Sequence, residues 1–117
     1  GRDSVSIRVA SIVPFIVMKG MALADRLKEK DAWDIYYCLK NYHGGLDALV
    51  DAFKPFLSYG LVKEGLAKIA DKFATEKHVG PKFVADFEEI SDTEERQLLQ
   101  RDAFERVDYV LMKLGVK

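Results

Sequence analysis

The sequence predicts a mainly α-helical fold, a bundle of five or six helices with one strand at its N-terminal edge. Three observations carry this. From Pro14 onward, apolar residues recur at intervals of three and four, the period of a helix with one buried face. Only residues 4–9 alternate, with Val5, Ile7 and Val9 apolar and Ser4, Ser6 and Arg8 polar, the period of a half-buried strand. Pro14, Gly44-Gly45, Pro55, Gly80-Pro81 and Gly115 then divide the helical pattern into separate elements.

The elements follow in order. The strand at 4–9 has no second alternating run to pair with, and a lone strand is not stable. Its partner is therefore expected in a preceding segment or in a second subunit. The chain also opens on Gly1 rather than Met. Together these suggest one mostly helical domain over 1–117 that forms the C-terminal portion of a longer protein. Pro14 suits the first turn of a helix over 15–27, apolar on most sides and so deeply buried. Lys28, Glu29 and Lys30 read as a charged connector. Asp31 is a suitable N-cap for a second helix over 32–42, with Asp34 near its positive end. Gly44-Gly45 ends it. Leu46, Leu49, Val50 and Phe53 have helical spacing up to Pro55. A further helix is expected over 61–75, with Val62, Leu66, Ile69, Ala70 and Phe73 on one stripe. Pro81 opens a short helix to 87. Ser91 and Glu94 form a capping box for a last helix ending at Leu114, with Ala103, Val107, Val110 and Leu111 on its inner face and Gly115 as its cap.

Composition excludes several classes. With 49% hydrophobic and 32% charged residues, the 117-residue chain is neither disordered nor fibrous as a whole. A net charge of −1 gives no whole-chain electrostatic footprint for nucleic acid. The longest apolar run, 12–18, is far short of the roughly 20 residues that span a bilayer. No signal peptide is recognisable, so no membrane partner is expected. A single cysteine, Cys38, allows no intrachain disulfide and fits a cytoplasmic protein. His43 and His78 have no ligand-spaced neighbours, so no zinc site is expected. No phosphate-binding glycine loop and no nucleophile elbow is present.

Lys19 is the most informative residue. It sits within an apolar stretch, and an unpaired buried ammonium costs several kcal/mol. Seven positions later, Arg26 returns to the same helix face, roughly 10 Å along the axis. Two cations so placed suit an extended polyanion such as a triphosphate. They equally suit ion pairs with Asp31 and Asp34 across the connector, and spacing alone leaves both open. Trp33, Tyr36, Tyr37 and Tyr42 cluster on the second helix, where packing and base stacking are the alternatives.

The stretch Ile12-Val13-Pro14, Lys19-Gly20-Met21-Ala22-Leu23, Arg26 and Lys30-Asp31-Ala32-Trp33-Asp34-Ile35-Tyr36 resembles the second half of nucleotidyltransferase-like proteins of the AbiEii/AbiGii toxin type. Phe73 to Gly80-Pro81, Val84 to Phe87, Glu94 to Arg96 and Arg101 to Ala103 look like the helical tail of some members. The resemblance implies a helical C-terminal domain that contributes to metal-dependent nucleotidyl transfer. Lys19 and Arg26 match the family's Lys…Arg motif, implicated in holding the nucleoside triphosphate. Asp31 and Asp34 match the following acidic motif, with a catalytic or a structural role. The family's glycine turn and D-x-D metal pair are absent here, so the chain holds no cofactor itself and Mg²⁺ belongs to the intact parent. By itself the chain is expected to be inactive. An antitoxin protein is the partner that the family implies. A non-enzymatic helical interaction module is the alternative reading.

Overall fold

The computed structural model describes residues 9–117. They form six α-helices, with no strand among the described residues: α1 (Val9–Arg26), α2 (Glu29–Asn41), α3 (Gly45–Phe53), α4 (Gly60–Lys72), α5 (Val79–Phe87) and α6 (Thr93–Lys113). A short 3₁₀ turn, Lys54–Phe56, with Pro55 near its start, follows α3. The fold is mainly α, as the apolar spacing predicts. The expected strand at 4–9 lies outside the described residues except for Val9, which already belongs to α1.

The apolar faces build one core. Leu23, Leu49, Phe53, Phe73, Val84 and Ala103 are all at most 1% exposed. Around them α1 packs on α4 and α2, α2 on α5, and α5 on α6, while α3 rests against α6. The stripe expected on α4 is inward as predicted at Val62, Leu66 and Ile69, with Phe73 just beyond the helix end. On α6, Ala103, Val107, Val110 and Leu111 face the core.

The α1–α4 contact is unusually close, because both helices present a glycine there. A Cβ on Gly20 would stand 2.7 Å from Ile69 Cγ1 and 2.9 Å from the Gly65 carbonyl oxygen. A Cβ on Gly65 would meet Val17 Cγ1 at 2.8 Å. Even one methyl group would push the two backbones apart.

Helix ends depart from the sequence reading in five places. Pro14 lies inside α1 rather than in its first turn, since the helix begins at Val9. Glu29 and Lys30 belong to α2, so the connector shrinks to Leu27 and Lys28. Asp31 is not the N-cap; that position is Lys28, without a side-chain cap. The cap of α6 is Asp92 and not Ser91, its Oδ2 accepting from the Glu95 N–H at 3.0 Å. Gly80 and Pro81 fall within α5 rather than before it. At the other end of α6 the reading holds closely. Gly115 takes a φ of 76°, its N–H donates to the Met112 carbonyl, and the Val116 N–H donates to Leu111, which is a Schellman closure.

The glycine crossing gives a direct test. Gly20→Ala gains up to about 1 kcal/mol of helix propensity but forces an overpacked backbone contact costing about 1–3 kcal/mol. Its melting temperature should fall. Gly60→Ala, where nothing stands within 4 Å of the added Cβ, should not lower it.

Candidate functional site

The residues singled out by spacing meet at the α1–α2 junction. Leu27 turns the chain there with a φ of 50°, a left-handed conformation that costs a non-glycine residue about 1–2 kcal/mol. The turn sets the last turns of α1 beside the first turns of α2. Arg26 then reaches Asp31 with two donors, Nε at 2.9 Å from Oδ2 and Nη2 at 3.0 Å from Oδ1. This fork is the geometry in which a guanidinium binds a carboxylate most tightly. Lys19 Nζ lies 3.4 Å from Asp31 Oδ1 and 2.9 Å from Asp34 Oδ2. Lys30, one turn before Asp34, donates to both of its oxygens at 2.9 and 3.1 Å. Of the two arrangements that spacing leaves open for Lys19 and Arg26, the ion pairs across the junction are present.

Burial is uneven. Asp31 is 1% exposed and Asp34 is 7% exposed. Lys19 is partly covered, with the Phe15 ring 5.5 Å from its ammonium. Arg26 and Lys30 keep most of their side chains in solvent. Two buried carboxylates are thus held beneath three cations, and the Asp25 carboxylate also acts on Arg26 from nearby. The Arg26 hydrogen bonds hold the Asp31 carboxyl below its usual range, against the opposing effect of burial. The hydrogen bond to Asp34 raises the Lys19 ammonium above its usual value.

A divalent metal does not fit here. Both oxygens of each carboxylate already accept from cations, and three positive groups around two carboxylates repel a further cation. Among the described residues, no group of three or more His, Cys, Asp and Glu side chains gathers at all. Nor is any described helix long and apolar enough to cross a membrane.

Beside the junction, the aromatic residues of α2 divide. Tyr36 is buried and its hydroxyl donates to Asp102 at 2.6 Å, which also accepts from Arg106 Nε at 3.0 Å. Burial, reinforced by Asp102, pushes the Tyr36 hydroxyl well above its ordinary value. Trp33 and Tyr37 point outward and stack on one another. Cys38 is buried.

Sequence reasoning missed two features. Lys30 reads as connector, yet its i, i+4 spacing to Asp34 is a visible signal for the pair it makes. The second is an apolar groove of about 720 Å³ between α1 and the start of α4, lined by Val17, Met18 and Met21 together with Phe56, Tyr59 and Leu61. No local pattern announces it, because its walls come from segments about forty positions apart. Met21 is two positions from Lys19, a rotation of about 200° on a helix. The groove and the ion cluster therefore occupy opposite sides of α1.

No protein family, no curated protein and no solved structure matches this chain. The resemblance of the Lys19 to Tyr36 block rests on those residues alone.

Two measurements check this site. Because the folded Asp31 carboxyl ionises below its unfolded value, its stabilisation is full at neutral pH. It is lost as pH falls through the lowered folded value. Asp31→Asn should therefore cost about 1.5–3 kcal/mol at pH 7, the worth of a charge-assisted hydrogen bond, and flatten the acid limb of a stability–pH curve. Burial pushes the Cys38 thiol up to about 11. A thiol reagent at pH 8 should label the native chain far more slowly than the denatured one, since only the thiolate reacts.

Proposed function

We propose that this chain is the helical portion of a nucleotidyltransferase-like protein of the AbiEii/AbiGii type, working in the cytoplasm. One observation supports this above the others: three cations converge on two buried carboxylates, and two of them, Arg26 and Lys30, are largely open to solvent. An arrangement of this kind is ready for a polyanion. Asp31 and Asp34 hold the cations in place, and Arg26 and Lys30 present their free donors outward. Lys19 lies between the two carboxylates and shares its ammonium with both.

In this reading Lys19 and Arg26 bind and orient the triphosphate of the substrate and draw off its developing charge. Asp31 and Asp34 act as positioning residues for those cations. A divalent ion would be held by carboxylates outside this chain, since those of Asp31 and Asp34 are already taken. A toxin role and an antitoxin partner rest on the resemblance alone.

The second reading is a non-enzymatic helical interaction module. The groove between α1 and α4 favours it, because it is apolar and flanked by the exposed side chains of Met18, Tyr59 and Leu61. Nucleotide affinity separates the two readings.

Lys19→Ala is the deciding variant. Each carboxylate keeps another cation, Arg26 on Asp31 and Lys30 on Asp34, so the loss strands no buried charge. The melting temperature should move by only a few degrees. Triphosphate affinity should fall about 10- to 150-fold, the equivalent of one charge-assisted contact. A large drop in melting temperature with unchanged affinity in the folded fraction would refute the triphosphate reading.

A further inference from the structure

Of the outer aromatic residues of α2, Trp33 is partly buried against the core and Tyr37 is exposed, and neither takes part in the ion cluster. Trp33 stacks on Tyr37 with ring centroids 5.0 Å apart and 29° between planes. Phe87 from the end of α5 also packs on Trp33, with centroids 5.1 Å apart and a tilt of 38°. The indole N–H donates to Glu88 Oε2 at 3.0 Å. The three rings thus form a row joined through Trp33, whose orientation is held by two ring contacts and by one hydrogen bond. Tyr37 ends the row. One side of its ring is backed by Trp33, and the residue is 48% exposed.

This row stands next to the cations. On α2, Lys30 and Asp34 form one i, i+4 pair, and Trp33 and Tyr37 form the neighbouring one. Three positions separate Lys30 from Trp33, so the two rows lie about 60° apart around the helix. Tyr37 lies about 10 Å along the axis from Lys30. Positive charge therefore sits at one end of this stripe and a backed aromatic face at the other. A nucleoside triphosphate has the matching order, with anionic phosphates at one end, a flat base at the other, and the ribose between.

We propose that Tyr37 is the stacking platform for the base of a nucleoside triphosphate whose phosphates lie on Arg26, Lys30 and Lys19. The proposal rests on the nucleotidyl-transfer reading and adds the group that receives the base. Trp33 acts as a positioning residue, fixing the Tyr37 ring through the row held by Phe87 and Glu88. Every base has a π face, so stacking of this kind accepts all four.

Calorimetry on the full chain tests it, with each of the four ribonucleoside triphosphates and with inorganic tripolyphosphate, which has the charge and no base. Stacking is expected to make the nucleotides bind about 5- to 150-fold tighter than tripolyphosphate. Tyr37→Ala should bring them down to the tripolyphosphate level and leave tripolyphosphate itself unchanged. Tyr37→Phe should keep the difference, because the ring and not the hydroxyl is used. Trp33 is the chain's one tryptophan, so its fluorescence should respond to nucleotides and not to tripolyphosphate. Equal affinity for nucleotide and tripolyphosphate, or unchanged nucleotide binding in Tyr37→Ala, overturns the stacking role and leaves the triphosphate reading standing. Failure of both ligands to bind overturns that reading and the stacking role with it.

Discussion

The Asp31 carboxylate is the constraint on which the rest of the junction depends. A carboxylate 1% exposed is stable only if cations meet it, because desolvation of an unpaired ion costs several kcal/mol. Arg26 and Lys19 meet it from α1, so the two helices have one permitted register. A slip by one residue along α1 would swing both cations about 100° away. The left-handed Leu27 fits the same logic. Its cost is small beside that of leaving Asp31 without its partners, and the turn it makes is what lets Arg26 fold back on the first turn of α2.

On its other side α1 obeys a steric rule instead of an electrostatic one. Gly20 and Gly65 let α1 and α4 approach until backbone meets side chain. Close packing of this kind is gained from dispersion and from exclusion of water, and it tolerates no added methyl group. α1 is thus clamped by charge toward α2 and by shape toward α4. Its third side is left apolar and uncovered, and there Met18 and Met21 line the groove. Methionine is suited to such a surface, since its unbranched thioether adapts to whatever packs against it.

The two clamps also explain how α2 divides its aromatic residues. Asp31 and Asp34 turn toward α1, which sends Tyr36 into the core, where Asp102 receives its hydroxyl. Trp33 and Tyr37, about 60° around the helix from the Lys30–Asp34 pair, are turned toward solvent and α5. The ion cluster therefore sets the direction of the exposed rings as well as the register of the helices. An altered junction would disturb both ends of the stripe together.

The sequence by itself determined the mainly helical class with five or six helices, most of their inner faces, and the shared face of Lys19 and Arg26. These follow from the 3.6-residue period and from glycine and proline, which act over a few residues. Helix starts were less legible. Asp31 has the chemistry of a cap, yet its carboxylate is drawn to Arg26 and Lys19, and a fork of charge-assisted bonds outweighs capping. Ser91 lost its place to Asp92, one position on, because both residues can cap and a charged acceptor is favoured at the positive helix end. Only the tertiary structure decided that Lys30 joins the cluster, that glycines on two helices meet, that Trp33 and Tyr37 face out while Tyr36 faces in, and that a groove opens between α1 and α4. Each depends on which segments become neighbours in space. That is fixed by the packing of all six helices together, and no local window of residues contains it.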